Sequence, residues 1–329
     1  MKIYAAYYDN IIRAESSSGG IFSLLSVQFE VVYGVAMSED CYSAEMTRVE
    51  GDISCLRGSK YLQAIIGDAF KQVKQDLFDG KRVLFTGTGC QINGLKSFLQ
   101  KDYTNLTTVD VICHGTPSSK LWKEYIKYQE AKYGKLKNVN FRCKDNSWQD
   151  FGMKENQLYI SKDEDAYMRM FLRNYCLRPS CYECHAKNTK NADITIADFW
   201  GIESVAPEMN DGNGISLIIV RTEKGQKLFE SVKEKLKWKE VSYEEGIKGN
   251  PSEYKSVDRP AQRETFFNDL AVLPFSEMEK KYAADIKASL KSRVKCKIIQ
   301  IAKKLRGTAI KTNTRYGVLY TFHERDEEA

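Results

Sequence analysis

No apolar run in this chain approaches the roughly 18 residues that a membrane-spanning helix needs, so no segment reads as a span. Met1-Lys2-Ile3-Tyr4 leads straight into polar sequence without the apolar core of a signal peptide, and the expectation is a cytoplasmic protein. Two phosphate signatures are also missing: the G-x-G-x-x-G fingerprint of dinucleotide folds and the G-x-x-x-x-G-K loop. Histidines are scarce, three in all, and neither His114 nor His185 joins a recognisable nucleophilic triad. The chain has a C-x-x-C pair but lacks the second one that would complete a zinc ribbon.

What is present is an ordinary soluble composition, 42% hydrophobic and 29% charged over 329 residues, enough for about two domains and a sizeable core. Nine cysteines are unusual beside it. In a reducing compartment they are read as thiols or metal ligands rather than disulfides. Cys41, Cys55, Cys143 and Cys296 stand alone and read as incidental thiols.

The chain is organised around Arg82 to Pro117, which reads as strand, glycine turn, helix, strand. The first strand is followed by Gly87-Thr88-Gly89-Cys90-Gln91, and the second, Val109 to Cys113, stops at His114-Gly115-Thr116-Pro117. If the two strands are parallel neighbours, Cys90 and Cys113 both sit at the carboxyl edge of one sheet, where open α/β sheets hold ligands. A Pro-led loop adds Cys181 and Cys184, and Cys176 lies five residues upstream as a substitute ligand. Four thiolates suit zinc or an iron–sulfur cluster, and the spacing does not choose between them.

Elsewhere, residues 3–8 read as a first strand and Ile21 to Leu25 as a helix after Ser16-Ser17-Ser18-Gly19-Gly20, a loop that suits either a phosphate or a plain helix cap. Apolar residues from Leu62 to Leu77 predict a helix over 61–79, with Gly80 as its C-cap and Ser59-Lys60 at its start, where Lys60 can meet an anion. A helix over 119–133, a hairpin within 139–160 with Trp148 near its turn, and a helix over 163–174 follow. Asp193 to Phe199 and Ile215 to Val220 read as strands, and Thr222 opens a helix. Asp198 and Trp200 end the first of these strands, either beside a ligand or as a turn cap and core filler. The polar stretch 243–260 reads as the end of the compact part.

In series, Ser16 to Gly20, Gly58 to Tyr61, Gly87 to Gln91, Asp110 to Pro117, Arg178 to Cys184 and Asp193 to Gly201 resemble the coenzyme F420 hydrogenase/dehydrogenase beta-subunit family over about residues 16–220. One departure is Gly89, where that family usually has proline. The resemblance implies a flavin and iron–sulfur protein that moves electrons between FAD, a 4Fe–4S cluster and a substrate such as a deazaflavin, or a redox partner protein. Many bacterial relatives are linked to surface-polysaccharide assembly. It implies that Cys90, Cys113, Cys181 and Cys184 hold the cluster and that Ser17, Ser18, Gly19, Gly20, Ser59, Lys60, Thr86, Gly87, Thr88, Gln91 and Trp200 bind the flavin. His114, Lys60 and Asp198 are the expected catalytic residues. A zinc-stapled, non-redox scaffold of polysaccharide assembly is the alternative.

The expected fold is α/β, a mixed sheet with a parallel strand–turn–helix–strand core. Its expected divisions are a small N-terminal domain (1–78), a cluster- and flavin-binding domain (79–248) and a C-terminal extension (249–329). Within the last, Ile286 to Arg306 carries eight Lys or Arg and no acid, outweighing the chain's net charge of +6 and leaving the rest at −2. Nucleic-acid binding is therefore not expected of the body. Ile286, Leu290, Val294, Ile298, Ile301 and Leu305 draw one apolar stripe among those cations, a pattern suited to an anionic membrane surface or to packing on the body.

Overall fold

Period-2 runs of β-branched and aromatic residues alternate with helical spacing along the chain. In a computed structural model that describes residues 1–284, they form two sheets clothed by helices. The basic segment 286–306 and Cys296 lie outside the described residues. The chain begins with β1 (Lys2–Tyr7), α1 (Asn10–Ala14) and α2 (Ile21–Ser26). β2 (Val31–Met37), β3 (Ala44–Val49), β4 (Ala64–Ile65) and α3 (Ala69–Phe78) follow. Then come β5 (Val83–Thr88), α4 (Gly89–Leu99), β6 (Leu106–Val111) and α5 (Ser119–Tyr133). A small sheet of β7 (Val139–Cys143), β8 (Gly152–Glu155) and β9 (Leu158–Ser161) precedes α6 (Ala166–Leu172). β10 (Ile194–Asp198), β11 (Ser216–Val220), α7 (Glu223–Val232) and β12 (Lys237–Val241) return to the large sheet. α8 (Tyr243–Ile247), α9 (Arg263–Val272) and α10 (Phe275–Tyr282) complete the described part.

The large sheet runs β12-β1-β11-β10-β6-β5-β2-β3-β4. Its centre, β10, β6, β5 and β2, is parallel, and antiparallel pairs flank it. Strands from 1–78 and from 79–248 therefore share one sheet. Alternation along the strands sets its two faces. Tyr4, Ala6, Ile218 and Val220 pack under α2 and α7, while Ile3, Ala5, Leu217 and Ile219 face Trp148, Phe199 and Ile202. Tyr33, Phe85, Ile92 and Leu95 close a third cluster under α3 and α4.

Two readings of the sequence need correction. The helix expected over 61–79 begins only at Ala69. Gly67 has φ +53°, which breaks a right-handed helix, and Ala64–Ile65 instead pair with Ala44–Glu45. Ser59 and Lys60 thus lie in a loop, and Asp68 precedes the helix. The compact part also does not end at 243–260. Phe266, Leu270, Phe275, Met278 and Tyr282 are buried in the same core as Trp122, Tyr125, Phe141 and Tyr167. Within that core Tyr125 places its hydroxyl 2.5 Å from Glu155 and 2.6 Å from Asp165, both carboxyls being only 2% exposed.

Candidate functional site

Because β5, β6 and β10 are parallel neighbours, their carboxyl ends open on one side, and a cavity of ≈ 1060 Å³ sits there. That exceeds the roughly 300–1,000 Å³ of most small-molecule sites and has room for a dinucleotide. Its wall includes Ser17, Ser18, Gly20, Ser59, Lys60, Thr86, Gly87, Thr88, Gln91 and Trp200, together with His114 and Asp198 and the cysteines Cys90 and Cys113. Gly19 stands behind this wall. It is buried, and a Cβ there would fall 2.6 Å from the Ala6 carbonyl, so only glycine lets the serine loop lie against the sheet.

The loops are tied to one another before any ligand is considered. Ser17 Oγ accepts the Ser59 N–H at 2.8 Å, and Ser18 Oγ donates to the Ile215 carbonyl at 2.8 Å. Lys144 Nζ donates to the carbonyls of Arg13, Ser18 and Asn213 at 2.8, 3.2 and 2.9 Å, fixing the loop from behind. Thr86 Oγ1 donates to the Tyr33 carbonyl at 2.8 Å, and the Gln91 amide oxygen accepts the Thr88 N–H at 2.8 Å at the start of α4. Those two side chains are partly committed to the scaffold, and their backbone and remaining surface face the cavity.

Lys60 Nζ donates to the carbonyls of Arg57 and Cys55 at 2.6 and 3.2 Å and has no carboxylate partner among the described residues. Burial brings its pKa down to about 8. His114 Nε2 lies 2.6 Å from Asn174 Oδ1, and its ring sits edge-on to Phe171. Since an amide oxygen only accepts, Nε2 carries the hydrogen and Nδ1 is the open acceptor. Burial lowers this imidazole's pKa, which keeps it neutral.

Asp198 is less free than its position at a strand end implied. Arg142 Nη1 holds one oxygen at 2.9 Å and Trp148 Nε1 approaches the other at 3.3 Å. Sequence reasoning missed Arg142 as a site residue. Its guanidinium lies 4.3 Å from the Phe151 ring and 4.8 Å from Trp200, and its Nε has no partner. An arginine between Phe141 and Cys143 in an apolar strand was the available signal. Trp148 is fully buried and stacks on Trp200 at 5.2 Å, so it packs behind the wall while Trp200 faces the cavity. Arg57, Lys60, Arg142, Lys162 and Arg178 line the cavity against the single carboxylate Asp198, a balance that favours an anionic ligand.

The cysteines gather at the edge of this space. Cys90 is in the first turn of α4, 3.1 Å from Thr88 Oγ1, and Cys113 follows β6 by two residues. Cys181 Sγ accepts the Thr116 N–H at 3.4 Å, and the Cys184 N–H donates to Ser256 Oγ at 2.9 Å. All four are free thiols. Burial pushes the Cys113 thiol up to about 12, Lys187 opposing, with Cys90 and Cys181 close enough to add to the rise. Burial likewise raises Cys181, and Cys184 and Cys90 add to it. Cys113 and Cys181 thus each stand close to Cys90, and Cys181 also to Cys184, and a donor set of four thiols fits the chemistry of an iron–sulfur cluster. Among the described residues no three Cys, His, Asp or Glu side chains stand at the spacing of a single ion. Cys176 is fully buried in apolar surroundings, and His185 flanks the loop without joining the cavity wall.

Comparison with known proteins gives three findings. No curated protein matches the chain. Among solved structures, a chain of the F420-reducing [NiFe] hydrogenase complex from Methanosarcina barkeri, studied in a xenon-derivatised form, has a similar fold, with a TM-score of 0.54. It shares 15% identity, and the match covers 85% of this chain and 90% of that one. Residues 80–245, a little over half the chain and containing all four cysteines, match the family described as the C terminus of the coenzyme F420 hydrogenase/dehydrogenase beta subunit, and the chain therefore belongs to that family.

Proposed function

We propose that the chain is an iron–sulfur flavoprotein oxidoreductase that passes electrons between a 4Fe–4S cluster, FAD and an acceptor or partner protein. The observation that supports this reading is that Cys90 and Cys113 line a dinucleotide-sized, cation-lined cavity with Cys181 close to both. Cys90, Cys113, Cys181 and Cys184 would hold the cluster, and the loops at Ser17–Gly20, Gly58–Lys60 and Thr86–Gln91 would hold the flavin. Bound together, the two cofactors would couple one-electron to two-electron transfer. Lys60, protonated below about pH 8, offers a cation to a phosphate or an anionic substrate. His114, with Nδ1 open, would accept a proton within the cavity, and Arg142 holds Asp198 and packs on Trp200 in the cavity wall, where a flavin ring would bind.

A membership in multi-subunit redox machinery is part of the proposal, since the similar solved chain comes from a hydrogenase complex. A role beside surface-polysaccharide assembly rests on sequence resemblance alone. Among the described residues no helix is long and apolar enough to cross a membrane. Purification without oxygen, with iron, acid-labile sulfide and flavin counted, tests the reading. The expected result is about four iron atoms and one FAD per chain with a broad visible absorbance. A colourless protein holding zinc and no iron would overturn it.

A further inference from the structure

Three residues after Cys184, in the turn His185–Lys187, a half-buried lysine points back at the cysteines. Lys187 Nζ donates to the Cys113 carbonyl at 2.6 Å and also to the Ser252 carbonyl. No carboxylate lies within ion-pair distance of it among the described residues. The nearest acid, Glu253, is already engaged by Arg221 at 2.5 Å and Lys190 at 3.2 Å. The charged or ionisable groups facing Lys187 are Cys113, Cys184, Lys190 and Glu253, and it acts in turn on His114. Holding an ammonium partly out of water without a carboxylate is costly. The groups that offset that cost most are the two sulfurs, one from each half of the proposed ligand set, with Glu253 adding less.

We infer that Lys187 is the fixed countercharge that sets the reduction potential of the four-cysteine centre, an inference that rests on the iron–sulfur reading. Reduction adds one electron to the centre and neither forms nor breaks a bond, so its net charge becomes more negative by one. A positive charge this close stabilises the reduced form more than the oxidised form and raises the potential, net charge and nearby hydrogen bonds being among the main determinants for such centres. The lysine also ties the Cys113 loop to the 250–253 segment, and a neutral donor would preserve that mechanical role. The two roles are therefore separable.

The test uses the full chain purified without oxygen as wild type, Lys187→Met, Lys187→Gln and Lys187→Arg. Iron is counted in each, and the midpoint potential is read by electron paramagnetic resonance during titration with dithionite as the electron source. Met and Gln variants that keep their iron and titrate at lower potential, with Arg close to wild type, are the expected result. Unchanged potentials in the Met and Gln variants overturn the inference. Loss of iron from both overturns it as well, because the lysine is then a loop clamp. If the wild type itself holds no cluster, the parent reading has failed, and that outcome is visible before any variant is compared.

Discussion

Arg142 is buried, paired with Asp198 at 2.9 Å and flanked by two aromatic faces. Removing the cation leaves a largely buried carboxylate without its partner, so Arg142→Met should cost about 3 kcal/mol in urea unfolding. Adding Asp198→Asn should recover a large part of that loss, and a double-mutant cycle with no coupling would show that the pair is incidental. The cysteines separate in the same way. Cys181→Ser should strip or destabilise the iron, while Cys41→Ser, a buried thiol that is not one of the four, should leave iron content unchanged; full iron and colour in Cys181→Ser would reject the ligand assignment. The approach of Cys90, Cys113 and Cys181 was legible because two of them follow neighbouring parallel strands and the third lies in a Pro-led loop. The engagement of Asp198 was not, because Arg142 lies 56 positions upstream and only the tertiary fold brings them together.

At the scale of elements, the central strand–turn–helix–strand was legible because each piece buries a continuous apolar set, Val83 to Phe85 and then Ile92, Leu95 and Leu99. α5 was equally plain, and its expected bounds of 119–133 match. Helix 61–79 failed because Leu62 and Ile65 keep helical spacing by chance, and the positive φ at Gly67 is a backbone property that periodicity does not report. α9 and α10 were missed although Phe266 and Leu270, and then Phe275, Met278 and Tyr282, keep helical spacing, because the polar stretch before them was read as the end of the compact part and their packing with α5 and α6 is a long-range contact. Tyr125 on α5 ties that core to Glu155 and Asp165. A hydroxyl has one hydrogen to give, so one of the two carboxyls must be protonated to bond it. Burial raises Asp165 from 3.8 to about 6 and Glu155 from 4.5 to about 7. A raised folded-state pKa confers stability that is complete below the unfolded value and is lost as pH rises through the folded one. Asp165→Asn keeps the protonated geometry, with its oxygen for Met168 N–H and its amide nitrogen for Tyr125. Between pH 5 and pH 8 the variant should lose about 1.4 kcal/mol less stability than wild type by chemical denaturation. Equal pH slopes would dismiss the shared proton.

For the whole molecule, the large sheet decides when folding can finish. β1 lies between β11 and β12, with Lys2 opposite Val220 and Tyr7 opposite Lys237, so the earliest strand made is seated between two of the latest. On a ribosome adding roughly 5–20 residues per second, β1 waits on the order of 10–40 s for both neighbours to emerge. During that interval Ile3, Tyr4, Ala5 and Ala6, all buried at the end, belong to an open edge with nothing beside it. The serine loop that follows β1 inherits the delay, because Gly19 and Ser18 are anchored to Ser216 and Ile215. The cysteine pair of the central turn can take its place much earlier, as β5 and β6 are joined by one short helix. In the cell, the edge that carries Cys90 and Cys113 can thus assemble first, and the serine-loop side of the cavity closes only after most of the described chain has been synthesised.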